Sequence, residues 1–342
     1  MQMIYKILIV VTSLFLIVGC KTKPDNDATD LKFQDSLLNK INSPELKAIS
    51  KKITEEVNKP ELYNERAKLY IQLGLAEEAE KDANRAIKLD SLKPDYFLTK
   101  ADALFSANKT KLAKDELELI EKKFPTNTEA LLKLAELFFI VRQYQTAIDY
   151  CNKALKVDES IAKAYFIKGS IYRESGDTAK AISSLITATE QDNRFDQAFF
   201  DIGVIYAAQK NPIALNYYDN AFKINPTNND VIYARAKFYQ DISKIEEAIK
   251  QYDYLLSRDK NYFLANYNLG AITLELKNDP KTAINYFTKA IESKADYIEA
   301  YFARGYAYSK INEKENAKAD YKMCLQLEDN YEPAITALNK LK

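Results

Sequence analysis

AKAYFIKGSIYRESGDTAKAISSLITATEQDNRF, residues 162–195, reads as two short amphipathic helices back to back, with Gly176-Asp177 as the turn between them. Apolar residues fall at helical spacing in each half: Tyr165, Gly169 and Tyr172, then Ala181, Leu185 and Ala188. Small residues at Gly169 and Ala181 let the two helices approach closely, and larger ones fill the space around that contact. A hairpin of this size cannot bury its apolar faces alone. It needs copies of itself on either side.

The chain supplies them. Stepping from Ala181 in both directions gives Ala79, Ala113, Ala147, Ala214, Ala248, Ala283 and Ala317, at spacings of 33 to 35 residues. About twelve residues before these alanines stand Ala67, Ala101, Ala135, Gly169, Gly203, Ala236, Gly270 and Gly305. A large residue follows three positions later, from Tyr70 through Tyr172 to Tyr308, with Thr273 as the exception. Self-similarity on such a period is the signature of a stacked-repeat architecture.

The pattern resembles the tetratricopeptide repeat, whose consensus W-x2-L-G-x2-Y…A-x3-F…P has a 34-residue period. Eight copies are expected: 60–93, 94–127, 128–161, 162–195, 196–228, 229–262, 263–297 and 298–331. No tryptophan is present; Tyr63, Phe97, Tyr165, Phe199 and Tyr301 hold its place in five copies. Copy five is one residue short and copy seven one long, where Asn211-Pro212 and Asp279-Pro280 stand at the turn. Each pair is read as an N-cap followed by proline in the first helical position. The resemblance implies an all-α fold, a right-handed superhelical solenoid of about eight helix-turn-helix repeats.

At the N-terminus, Lys6 and the twelve-residue apolar run Ile7 to Val18 read as a secretory signal, residues 1–19. The run is shorter than the roughly 20 residues of a spanning helix. It ends Ile17-Val18-Gly19-Cys20, which resembles the lipobox of bacterial lipoproteins and implies lipidation of Cys20. Several acyl chains, at about 0.8 kcal/mol per buried methylene, would hold the chain at a membrane. Lys21 in place of aspartate favours the outer membrane, with the face left open. Residues 20–30 then form a lipidated cysteine and polar tether. Residues 31–59 hold two further helices broken at Asn42-Ser43-Pro44, a degenerate repeat or cap. Residues 332–342 form a closing cap helix.

Composition narrows the function. Basic and acidic residues number 49 each, with no basic stripe for nucleic acid, and the charges are read as solvated helix faces. There is no histidine, which removes the usual general base and the commonest metal ligand. No enzyme, cofactor or metal is therefore expected. All seven glycines have places in the repeat, its turns or the signal, so none is left for a phosphate loop. Cys151 and Cys324 are expected to be buried small hydrophobes rather than a disulfide.

The family resemblance places repeat positions two, five, nine and twelve on a concave inner wall. Position five carries Phe166, Phe200, Tyr233, Tyr267 and Phe302 from copy four onward, after Asn64, Leu98 and Leu132. Tyr306 stands at position nine of copy eight, and Phe105 and Phe139 at position twelve of copies two and three. Aromatic residues dominate recognition hot spots, so these eight are the candidate partner-binding residues. The alternative is that tyrosine and phenylalanine here pack against the next repeat. A protein or peptide partner is expected, bound by a membrane-anchored scaffold or assembly factor. The rival is a carbohydrate-binding surface lipoprotein using the same rings, weakened by the absence of any inserted loop. Asn64 and Lys68 lie in the reverse order of a carboxylate clamp, and none is expected.

Overall fold

Helix starts follow the capping chemistry. Ser43 accepts a hydrogen bond from the Leu46 amide at 3.2 Å, and Pro44 opens the first helix described. The computed structural model of the chain describes residues 43–341. The expected signal, Cys20, the tether and the first helix of the 31–59 segment lie outside the described residues.

Those residues form eighteen helices and no strand: α1 Pro44–Glu55, α2 Pro60–Gln72, α3 Ala76–Leu89, α4 Pro94–Ser106, α5 Thr110–Lys123, α6 Thr128–Ile140, α7 Tyr144–Val157, α8 Ala162–Glu174, α9 Thr178–Gln191, α10 Asp196–Ala208, α11 Ala214–Ile224, α12 Asn229–Asp241, α13 Ile245–Arg258, α14 Phe263–Glu275, α15 Pro280–Ser293, α16 Ile298–Lys310, α17 Lys314–Leu327 and α18 Glu332–Lys340. From α2 to α17 they pair as hairpins. The chain divides into two compact units within α5, one ending at Ala113 and one beginning at Lys114.

Each hairpin turns through one residue in the left-handed region: Gly74, Asn108, Arg142, Gly176, Lys210, Ser243, Asn278 and Asn312. The next amide reaches back to close the first helix, as in Leu75 N–H to the Tyr70 carbonyl at 2.8 Å and Asp177 N–H to Tyr172 at 2.9 Å. Only two of the eight are glycine, so the closing hydrogen bonds hold the others in a costly conformation. Asp177 then caps α9 by accepting from Lys180 N–H at 3.1 Å.

The two prolines at the irregular turns behave differently. Asp279 caps α15 through Thr282 N–H at 3.1 Å, and Pro280 is its first residue, as expected. Asn211-Pro212 does not begin α11, which starts at Ala214. With one residue fewer, the Asn211 side chain caps only a tight turn, accepting from Ile213 N–H at 3.1 Å.

The eight phased alanines are wholly buried. In the first unit, Leu46, Ile49 and Ile53 of α1 pack on Leu62, Ala67 and Tyr70 of α2 and on Ala79, Ala83 and Ala86 of α3. The second unit repeats this scheme hairpin by hairpin; Ala181, Leu185 and Ala188 of α9 meet Ala198, Ile202 and Ile205 of α10. Gly203 lies so close to α11 that a methyl there would stand 2.6 Å from the Tyr218 ring. Cys151 and Cys324 are free, buried thiols, and burial above all pushes each up to about 12. They are inert small hydrophobes, as their positions suggest.

Among the charge pairs, two depart from the expected solvated faces through a bidentate fork. Arg66 donates to both carboxylate oxygens of buried Asp82, at 2.6 and 2.8 Å, and to Ser50 Oγ at 3.3 Å. Arg304 repeats the fork on Asp320, at 2.8 Å twice, with Thr288 Oγ1 at 3.1 Å. The first and last copies thus lock their hairpins with the same bidentate pair.

Candidate functional site

On the groove wall of each hairpin, position two of the first helix is at least partly exposed, and position five becomes so from copy four onward. In copy one this wall is polar. Asn64 is buried and donates to Asp95 at 2.5 Å, while Lys68 reaches both oxygens of Asp95 at 3.0 Å. That network joins α2 to the start of α4 and occupies the groove with paired charge.

In the second unit the wall is aromatic, and its rings have partners. Phe166 lies 4.9 Å from Phe195, Tyr233 5.5 Å from Tyr262, Tyr267 5.2 Å from Tyr297, and Phe302 5.8 Å from Tyr331. Each of these contacts joins a position-five ring to an aromatic in the turn that closes its own copy. Behind them, Tyr218, Tyr252, Phe287 and Tyr321 support Phe200, Tyr233, Tyr267 and Phe302 at 5.6–6.1 Å. The stripe therefore serves packing, yet all five position-five rings stay only half buried. Phe105 and Phe139 are also half buried, the latter 6.2 Å from Tyr144. Tyr306 is 42% exposed, with Lys310 over its ring at 5.1 Å.

Two places on this wall open into cavities. Phe200, Tyr218, Tyr233 and Tyr262 line one of about 490 Å³, where Val204, Ala207, Ala208 and Ala234 leave room between α10 and α12. Its rim carries Asp230, which accepts from the Tyr262 hydroxyl at 2.8 Å, and the paired Lys237 and Asp241. Burial pushes the Tyr218 and Tyr262 phenols well above their ordinary range, so both stay neutral donors. A second cavity of about 460 Å³ lies between α16 and α18, over Phe302, Tyr306 and Tyr321. Such a concave, mostly aromatic site with a few polar groups at its edge is suited to take an apolar side chain and orient what is attached to it.

Of the eight residues expected at the site, the structure thus brings Phe200 and Tyr233 together in one cavity and Phe302 and Tyr306 in the other. Phe166, Tyr267, Phe105 and Phe139 line neither. Sequence reasoning passed over the turn-closing rings Phe195, Tyr262, Tyr297 and Tyr331, although they recur in phase. It also passed over Val204, Ala207 and Ala208, whose small size makes the cavity. Among the described residues no helix is long and apolar enough to cross a membrane. No cluster there of three or more cysteine, aspartate or glutamate side chains could hold a metal ion.

A stack of helical hairpins with open pockets on one wall defines a repeat scaffold. The tetratricopeptide-repeat family model matches residues 60–91, 162–195 and 298–331, and a second tetratricopeptide-repeat model matches 98–165. The chain is a tetratricopeptide-repeat protein. It is similar to the C-terminal part of a repeat protein of this family from Cytophaga hutchinsonii, with a TM-score of 0.56 and 21% identity over 70% of this chain and 99% of that one. Among curated relatives it is 22% identical to anaphase-promoting complex subunit 3 of Schizosaccharomyces pombe, over 60% of this chain and 31% of the relative. It is likewise 22% identical to DnaJ homolog subfamily C member 3 of Gallus gallus, over 63% of this chain and 45% of the relative. The chain spans less than half the length of either curated relative. Tetratricopeptide-repeat proteins generally mediate protein–protein interaction.

Proposed function

We propose that this protein is a membrane-anchored interaction scaffold or assembly factor that captures a partner segment on the aromatic wall of copies four to eight. The observation that carries the reading is the cavity over Phe200 and Tyr233, where packed rings leave an apolar socket open to solvent beside Asp230. The naming of one relative as a subunit of a complex agrees with an assembly role. Anchoring rests on Ile17-Val18-Gly19-Cys20, with Lys21 favouring the outer membrane. Cys20→Ser should move the protein from the membrane fraction to the soluble one.

The test is affinity capture from native envelopes with the full chain and with Phe200→Ala/Tyr233→Ala, after circular dichroism shows equal helicity. Hot-spot truncations cost about 2 kcal/mol or more, so the double variant should retain about 30-fold less of a partner that wild type recovers. Equal recovery by both chains would show that the rings only pack, and the binding site would lie elsewhere.

A further inference from the structure

The two cavities occupy the same place in the repeat, three copies apart. In register, Phe302 stands for Phe200, Tyr306 for Val204 and Tyr321 for Tyr218. On the facing helix Ala337 and Lys340 of α18 stand for Ala234 and Lys237 of α12. The cap helix therefore completes a second socket as copy six completes the first. The stretch between the sockets carries lysines as well as carboxylates, Lys294 lying over the Phe263 ring at 5.0 Å, and two of its carboxylates stand by Tyr267. Glu275 and Glu299 are exposed, and neither has an ion-pair partner among the described residues. Both act on Tyr267, whose phenol is raised by burial first and then by these carboxylates.

We propose that the partner is a single extended segment carrying two apolar anchor side chains, one for each socket, with basic residues between them facing Glu275 and Glu299. This rests on the groove reading above and adds the spacing and charge of the ligand. Packed helices lie about 8–10 Å apart, so three copies separate the sockets by about 30 Å. At about 3.3 Å per extended residue the anchors sit about nine residues apart. Neither socket alone accounts for the other. A one-anchor ligand would leave a built aromatic cavity unused, whereas a two-anchor ligand gains from the effective concentration of its second anchor.

The test uses fluorescein-labelled synthetic peptides and anisotropy with the full chain. One peptide carries two phenylalanines about nine residues apart with lysines between them, following the spacing above. The others carry one phenylalanine, or two about four residues apart, or glutamates in place of the lysines. The two-anchor basic peptide should bind about tenfold or more tighter than each of the others. Ala208→Trp and Thr336→Trp, which fill one socket each from exposed positions, should each reduce it to the one-anchor level. Equal affinity of one-anchor and correctly spaced two-anchor peptides would overturn the two-socket inference and leave the groove reading intact. Tighter binding of the acidic peptide, or no binding by the whole set, would overturn it as well; the groove reading would then be decided by the Phe200→Ala/Tyr233→Ala capture.

Discussion

Copy one and copy five are the same hairpin dressed in opposite chemistry. Between its helices copy one holds the buried Arg66–Asp82 fork, and copy five lays the Tyr218 ring on Gly203. On the groove wall copy one places Asn64, Lys68 and Asp95 in a closed polar network, while copy five places Phe200 and Val204 at the edge of an open cavity. The close of the first helix is shared down to the left-handed residue, Gly74 in one and Lys210 in the other. Side chains alone decide whether this wall is closed by its own charges or left open. A polar wall that satisfies itself has little to offer a ligand; an aromatic wall propped from behind cannot collapse and stays available.

The comparison can be broken from several directions. The largest effect is alkaline unfolding of both copies. Burial above all raises Tyr70 of copy one to about 12 and holds Tyr218 of copy five higher still. Folded values above the unfolded value of 10.0 mean that stability is complete below pH 10 and lost as pH rises through about 12. Helical circular dichroism and tyrosinate absorbance should change together over that window; tyrosine ionisation completed near pH 10 with the helices intact would show these phenols to be solvated.

Next comes Asp82→Ala, which strands the Arg66 charge in the core and should cost about 3–5 kcal/mol in chemical denaturation. Arg66→Met/Asp82→Leu should recover most of it, since the seam then resembles copy five in being apolar. Gly203→Ala should cost about 1–2 kcal/mol, the overpacking against Tyr218 exceeding the gain in helix propensity. A Gly203→Ala chain as stable as wild type would mean that the seam yields without strain. The smallest effect is Lys68→Ala. Its pair with Asp95 is half exposed, so the change should cost less than about 1 kcal/mol and vanish at high salt.

Most of the fold was legible in the residues because the repeat states each packing constraint eight times over. The phased alanines, the small residues facing them, the turn at Gly176-Asp177 and the caps at Ser43 and Asp279 all signal through local chemistry. Arg66 and Asp82 were not legible as a pair. Sixteen residues and a turn separate them, and a lone arginine on an amphipathic helix looks like any solvated one. Asn211-Pro212 misled because proline in the first helical position and proline in a tight turn share the same backbone angle.

By itself, then, the sequence determined the all-helical repeat and its register, since these depend on period and near neighbours. Only the tertiary structure decided which rings are spent on one another and which border open space. A cavity is bounded by residues from several helices, here Val204 and Ala208 of α10, Ala234 of α12 and Tyr262 in a later turn. Its existence depends on the volumes of side chains that meet only after the hairpins have stacked.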